Sequence, residues 1–88
     1  MKHFDEATRA KLVAMTQKER VQWHFENFGG TLDTVEAGRM YSIGRLPNRI
    51  CELNDLGFVF KKSWAKYKSL LGKPYEVRRY ELIQKGVA

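Results

Sequence analysis

Cysteine and histidine are scarce in this chain, and their scarcity argues against metal and disulfide proteins. The 88 residues include one cysteine, Cys51, which excludes an intramolecular disulfide framework and a cysteine-rich zinc site. The two histidines, His3 and His24, are far apart and lack acidic or cysteine partners at metal-ligand spacing. We therefore expect neither a metal site nor a histidine general base, and we expect His24 on the surface of a helix.

Long apolar runs and catalytic pairs of side chains are also missing. No stretch approaches the roughly 18 apolar residues that span a bilayer, and residues 1–15 lack the apolar segment of a signal peptide. No serine, cysteine or carboxylate pair has a recognisable activating neighbour. These absences favour a cytoplasmic protein that is not an enzyme and has no cofactor, small-molecule ligand or membrane association.

The chain does have enough apolar residues for a core, and its charge is unevenly distributed. A content of 43% hydrophobic and 30% charged residues predicts one small folded domain. Residues 1–44 carry six basic and six acidic side chains, whereas residues 45–88 carry ten basic and four acidic ones. The net charge of +6 therefore lies entirely in the second half. This distribution favours a polyanion-binding face, and the alternative is that the lysines only increase solubility.

Two capping boxes mark the first helices of the domain. Thr16 and Glu19 have the spacing of one box, and the apolar residues that follow predict a helix that ends at Gly29-Gly30. Thr31-Leu32 is a candidate short strand. Asp33 and Glu36 form a second box ahead of a helix over residues 34–41.

A third helix is predicted over residues 46–56, after a turn at 42–45. Pro47 stands in its first turn, where proline is tolerated. Leu46, Ile50 and Leu53 recur on one face, and Leu56 is expected to complete this buried stripe. The opposite surface carries polar side chains, namely Arg45, Asn48, Arg49, Glu52 and Asp55.

Two strand candidates follow, over residues 58–64 and 76–83, with a long basic connection over residues 65–75. Tyr80 and Leu82 are expected to face inward. Three helices followed by such a hairpin predict an α+β fold, a winged helix-turn-helix in which the hairpin is the wing. We place this domain at residues 16–83, after an N-terminal arm or short helix at 1–15 and before a tail at 84–88.

Two short motifs resemble a known family. Thr34 and Ala37 match a Thr-x-x-Ala helix, and residues 49–58 match the pattern R-I-x-E-L-x-x-x-G-F. Over about residues 16–83 the chain resembles the small helix-turn-helix family common in phage and prophage genomes. Trp64 and the Arg-Arg-Tyr-Glu-Leu run ending at Leu82 are also similar to that family. The resemblance implies a winged-helix fold that binds DNA.

The free face of the third helix has side chains suited to reading bases. Arginine can contact guanine O6 and N7 together, asparagine can do the same for adenine, and glutamate can accept from cytosine N4. Arg45, Asn48, Arg49 and Glu52 are therefore candidate DNA-binding residues. The alternative is that Arg49 only pairs with Glu52 or Asp55 along the helix.

The wing supplies candidate phosphate contacts, which position a protein on DNA without specifying sequence. The residues are Lys61, Lys62, Lys66, Lys68, Lys73, Arg78 and Arg79. Alternatively, these lysines form a solvated edge that discourages strand pairing between molecules. Trp64, Tyr67 and Tyr75 could stack on bases or pack within the wing.

The sequence thus favours a partner in double-stranded DNA and the role of a small phage-type transcriptional regulator or accessory factor. The alternative is a protein-interaction module that uses the same basic face to bind an acidic host or phage protein. A homodimer is possible, with residues 1–15 available to form its contact.

Overall fold

Four α-helices precede a hairpin in the computed structural model, which describes residues 4–86; His3 and the final two residues of the expected tail, 87–88, lie outside them. The elements are α1 Glu6–Val13, α2 Gln17–Trp23, β1 Thr31–Asp33, α3 Thr34–Tyr41, α4 Leu46–Asp55, β2 Val59–Lys68 and β3 Pro74–Gln84. The strands form an antiparallel sheet in the order β1-β3-β2. The α+β prediction is confirmed.

Helix α1 packs on the rest of the chain. The Asp5 carboxylate caps it by accepting from the Thr8 N–H at 2.7 Å, and Leu12 is buried. Ahead of the helix, the Phe4 ring lies edge-on to Trp23 and Phe28, with ring centroids 5.8 Å away in each case. Residues Glu6–Val13 thus form a short helix, and the division of the chain into arm, domain and tail stays a prediction.

Both predicted capping boxes are present. Thr16 Oγ1 accepts from the Glu19 N–H, and the Glu19 carboxylate accepts from the Thr16 N–H at 2.8 Å. That backbone hydrogen bond lowers the pKa of Glu19, because it stabilises the ionised carboxylate. Asp33 and Glu36 repeat the arrangement at the start of α3. Local sequence therefore determines where these two helices begin.

The expectation that His24 lies on the surface is wrong. After α2 the chain makes a π-helical turn over His24–Phe28, closed by a bond from the Gly29 N–H to the His24 carbonyl. His24 is only 4% exposed. Its Nε2 lies 3.0 Å from the Thr31 carbonyl oxygen, which can only accept, so Nε2 donates to it, and Nδ1 shares a hydrogen bond of 2.6 Å with the Tyr41 hydroxyl. The imidazole thus links the π turn to β1 and to the end of α3.

The core is built around the apolar stripe of α4. Leu46, Ile50 and Leu53 are buried in one cluster that also contains Val21, Leu32 and Tyr80. Leu56 does not complete the stripe and is 38% exposed, because α4 ends at Asp55 and Leu56 leaves the helical conformation at φ −91°, ψ 7°.

The hairpin differs from its prediction in length. Its strands extend to Lys68 and start again at Pro74, so the connection is residues 69–73 and not 65–75. Cross-strand pairs that are not visible in sequence account for the extension, such as Tyr67 opposite Tyr75, whose rings stack with centroids 5.8 Å apart. Tyr80 is buried and Leu82 packs against the core, as expected.

We predict that Leu53→Ala lowers the free energy of unfolding by about 2–5 kcal/mol, because it leaves a cavity at a position with no solvent exposure. The matched change Leu56→Ala, on the exposed neighbour, should cost less than about 1 kcal/mol. Urea unfolding measures both. Equal losses would show that the stripe of α4 is not the centre of the core.

Candidate nucleic-acid interface

Helix α4 presents a polar surface opposite its buried stripe. Arg45, Asn48 and Glu52 are exposed and Arg49 is partly buried, so the structure brings together the four predicted base readers. Asp55 and Cys51 are also exposed on this helix. The predicted separation of α4 into a core face and a free face is confirmed by these exposures.

The start of α4 differs from the starts of the other described helices. Helices α1, α2 and α3 each have a side-chain cap and an acidic residue in the first turn. Helix α4 has neither, and Arg45 occupies its N-cap position. A positive charge at this end of a helix opposes the helix dipole, whereas an anion there is stabilising. The N-terminal end of α4 is therefore electrostatically suited to a phosphate group.

Arg49 forms an ion pair along the helix, as one of the two sequence interpretations anticipated. Its Nε lies 2.9 Å from Glu52 Oε1. The contact is electrostatic and not a well-directed hydrogen bond, since Arg49 Nε is buried without a hydrogen-bond partner among the described residues. The pair holds the guanidinium beside the free surface of α4.

The strand register divides the wing cations between two faces. Residues paired across two strands point to the same face of the sheet, and successive residues of one strand point to opposite faces. One face therefore carries Tyr80 and Leu82, which belong to the core, together with every second residue along β2 and β3. Helix α4 contributes Ile50 and Leu53 to the same core, so we call this the α4 side of the sheet. Its charged wing residues are Lys62, Lys66, Lys68, Glu76 and Arg78, and Trp64 lies on the same side.

The opposite face carries Lys61 and Arg79. Lys61 is in register with Glu81, and Arg79 is in register with Asp33 and close enough to Glu36 to lower its pKa. Burial outweighs this effect and raises the pKa of Glu36 overall. These two cations thus lie near carboxylates, away from the α4 side. Sequence alone grouped them with the other wing cations, but the register separates them.

The wing aromatics pack mainly within the wing. On the α4 side, the Arg78 guanidinium carbon lies 4.5 Å from the centre of the Trp64 ring, in a cation–π contact. On the other face Tyr67 and Tyr75 stack on each other. Trp64 nevertheless keeps 55% of its surface exposed, so it is the wing aromatic most available to a ligand.

One hydrogen bond joins the wing to the helical part of the molecule. The Tyr67 hydroxyl donates to Asp33 Oδ2 at 2.5 Å, and Asp33 is a buried residue at the junction of β1 and α3. Burial, reinforced by this hydrogen bond and the nearby Asp33 charge, raises the pKa of Tyr67 to about 12. The phenol therefore remains a donor throughout the neutral pH range.

This contact was not predicted from the sequence. It joins residues 34 positions apart, and no local pattern marks Asp33 as more than a helix cap. The same is true of the Trp64–Arg78 pair, which depends on the register of β2 and β3.

The arrangement is a helix-turn-helix, α3 and α4, followed by a hairpin wing. Residues 16–85 match a family model described as a winged helix-turn-helix domain. This match covers most of the chain, which therefore belongs to the winged helix-turn-helix domain family. No curated protein and no solved structure matches significantly. Within the described residues, no helix is long and apolar enough to cross a membrane.

We predict that Tyr67→Phe loosens the wing. The buried Asp33 carboxylate would lose a hydrogen bond, which costs about 1–3 kcal/mol in the free energy of unfolding. Hydrogen exchange of the β2 and β3 amides beyond Ser63 should become faster. Tyr75→Phe is the control, since the hydroxyl that donates to Asp33 is that of Tyr67, and identical behaviour of the two variants would contradict the anchoring role.

Proposed function

We propose that this protein binds double-stranded DNA as a small phage-type transcriptional regulator or accessory factor. Helix α4 enters the major groove, and the basic wing lies on the sugar-phosphate backbone beside it. The family assignment supports this proposal, because winged helix-turn-helix domains commonly present their second helix to DNA.

The main observation is that the free surface of α4 and a row of wing cations lie on one side of the sheet. Lys62, Lys66, Lys68 and Arg78 are on the α4 side by register. The major groove is about 12 Å wide and admits a helix, while flanking phosphates attract cations. One docking orientation therefore satisfies both parts of the surface.

Four of the six carboxylates in the first half of the chain are engaged in helix caps, namely those of Asp5, Glu19, Asp33 and Glu36. Within the wing, Glu76 is the acidic residue on the α4 side and lies in register with Lys66. The positive charge of the second half is thus left largely uncompensated.

The Arg49–Glu52 ion pair is compatible with base reading. It engages Nε of the guanidinium, whereas guanine is contacted by two nitrogen donors of the fork. Glu52 thus orients the guanidinium toward the groove. Asn48 is exposed one helical position earlier and is suited to adenine. Arg45, at the start of α4, contacts the sugar-phosphate backbone of the DNA.

Binding to random duplex DNA tests the proposal directly. An electrophoretic shift should be strong at low salt and weaken steeply as salt rises. Absence of a shift at low salt would overturn the proposal and favour the acidic protein partner instead.

A cytoplasmic location and a homodimer stay predictions. Helix α1, which was expected to be available for a dimer contact, packs on its own domain but leaves Val13 exposed.

For base reading, we predict that Arg49→Ala costs about 1–3 kcal/mol on a site selected from a random DNA pool and relaxes the preference at one base position. Binding to unselected duplex should change less. Arg9→Ala removes an equal charge from the exposed surface of α1 and serves as the control. If Arg49→Ala binds the selected site as tightly as the unaltered chain does, Arg49 is not a base reader.

For the wing, we predict that Lys66→Ala with Lys68→Ala reduces the slope of log affinity against log salt by about 0.9 per lost phosphate contact. The control is Lys11→Ala with Lys61→Ala, which removes the same charge from α1 and from the opposite face of the wing. Fluorescence anisotropy titrations at several salt concentrations give both slopes. Equal slopes for the two double variants would place DNA elsewhere.

A further inference from the structure

The tip of the wing carries two leucines that the fold does not use. Leu70 and Leu71 are 102% and 83% exposed, the highest values among the large hydrophobic residues described. A leucine gains free energy when it leaves water, and a surface site with two adjacent ones is therefore suited to contact with an apolar ligand surface.

The turn that carries these leucines is held by several hydrogen bonds. The Gly72 N–H donates to the Ser69 carbonyl at 2.9 Å, and the Ser69 N–H donates to the Lys73 carbonyl at 2.8 Å. The Lys73 N–H also donates to Ser69 Oγ, and Gly72 takes a φ of 79°, which favours glycine. Leu70 and Leu71 occupy the two central positions of the Ser69–Gly72 turn, so they project from the end of the hairpin.

Positive charge surrounds this apolar tip. Lys68 precedes the turn and Lys73 follows it, and both side chains are exposed. Lys66 lies two residues further back, on the same α4 side of the wing as Lys68. Two apolar side chains flanked by lysines are complementary to a groove whose floor is less polar than its edges and whose two edges carry negative charges. The minor groove of DNA has this character, since base edges and sugars lie between two phosphate backbones.

The length of the wing matches the spacing of DNA grooves. Strand β1 pairs with β3 as far as Arg79, which is in register with Ser63 of β2. Beyond Ser63, β2 continues through five residues, or about 17 Å at the rise of a strand. Half a helical turn of duplex DNA, which separates a major groove from the next minor groove, is also about 17 Å. With α4 in a major groove, the tip therefore reaches the neighbouring minor groove.

We propose that Leu70 and Leu71 form a wedge that enters the minor groove, partly unstacks a base step and bends the duplex. This inference rests on the proposed DNA binding of α4 and the wing. Apolar side chains inserted between base steps kink DNA by about 20–90° toward the major groove.

The position of the tip favours DNA over a lipid surface or a second copy of the chain. The same hairpin carries Lys62, Trp64 and Arg78 on the α4 side, so a ligand at the tip also meets these groups. A membrane would engage the tip alone. The outcomes of the test below distinguish these ligands.

The test compares the full chain with Leu70→Ala/Leu71→Ala. The matched control is Val13→Ala/Ile83→Ala, which trims two other exposed apolar side chains, 70% and 59% exposed. A short duplex labelled with a donor dye at one end and an acceptor at the other reports bending by energy transfer, and anisotropy reports affinity. We expect the unaltered chain and the control to bend DNA. The tip variant should bind about tenfold more weakly, because its two shortened side chains bury less apolar surface, and should leave the duplex straight.

Each other result overturns the wedge in a distinguishable way. If the unaltered chain binds without bending, or the tip variant bends DNA equally, the wedge fails while the proposed function stands. If no duplex binds at low salt, both fail. Cosedimentation with phosphatidylserine vesicles that depends on the two leucines, without DNA bending, would assign the tip to lipid. A monomer–dimer change in sedimentation that depends on them, again without bending, would assign it to self-association.

Discussion

The buried carboxylate of Asp33 is the contact on which the rest of the arrangement depends. Its Oδ1 accepts from the Glu36 N–H and caps α3, its Oδ2 accepts from the Tyr67 hydroxyl, and its backbone pairs with Arg79 in the sheet. Helix, strand and wing therefore meet at one residue that is 3% exposed. A buried charge is stable only when its hydrogen bonds are made, so the relative positions of these three elements are tightly constrained.

This constraint explains how a small core can support an extended hairpin. The apolar stripe of α4 packs against α2 and the inner sheet residues, and it determines which surface of α4 remains free. The wing continues well beyond that core, where few apolar contacts hold it. Tyr67 and the stacked Tyr75 ring support it on the face opposite the α4 side. Because these contacts lie on the opposite face of the wing, the α4 side remains available for a ligand.

Charged side chains have different roles in the two halves of the chain. In the neutral half, acidic side chains cap helices, and Arg20 donates to the carbonyl groups of Leu12 and Tyr41 near the ends of α1 and α3. Charge there is used inside the fold, next to helix dipoles of opposite sign. In the basic half the lysines of the wing are exposed, whereas three arginines are partly buried beside partners: Arg49 with Glu52, Arg78 with Trp64 and Arg79 near Glu36. The proposed DNA surface therefore coincides with the part of the chain whose charges the fold leaves free.

Local sequence determined the features that depend on neighbouring residues. The capping boxes set the starts of α2 and α3, the glycine pair ended the π-helical turn that continues α2, and the spacing of Leu46, Ile50 and Leu53 identified the buried face of α4. These features follow from short-range hydrogen bonds and helical periodicity. Tertiary structure decided the burial of His24, the exposure of Leu56, the length of the wing and the division of its cations between two faces. The exposure of Leu56 follows from the end of α4 at Asp55. The other three depend on partners outside the local element: the imidazole needs Tyr41 and Thr31, the length of the wing needs cross-strand pairs, and the face of each cation follows from the register of β2 against β3, which a shift of one residue would reverse.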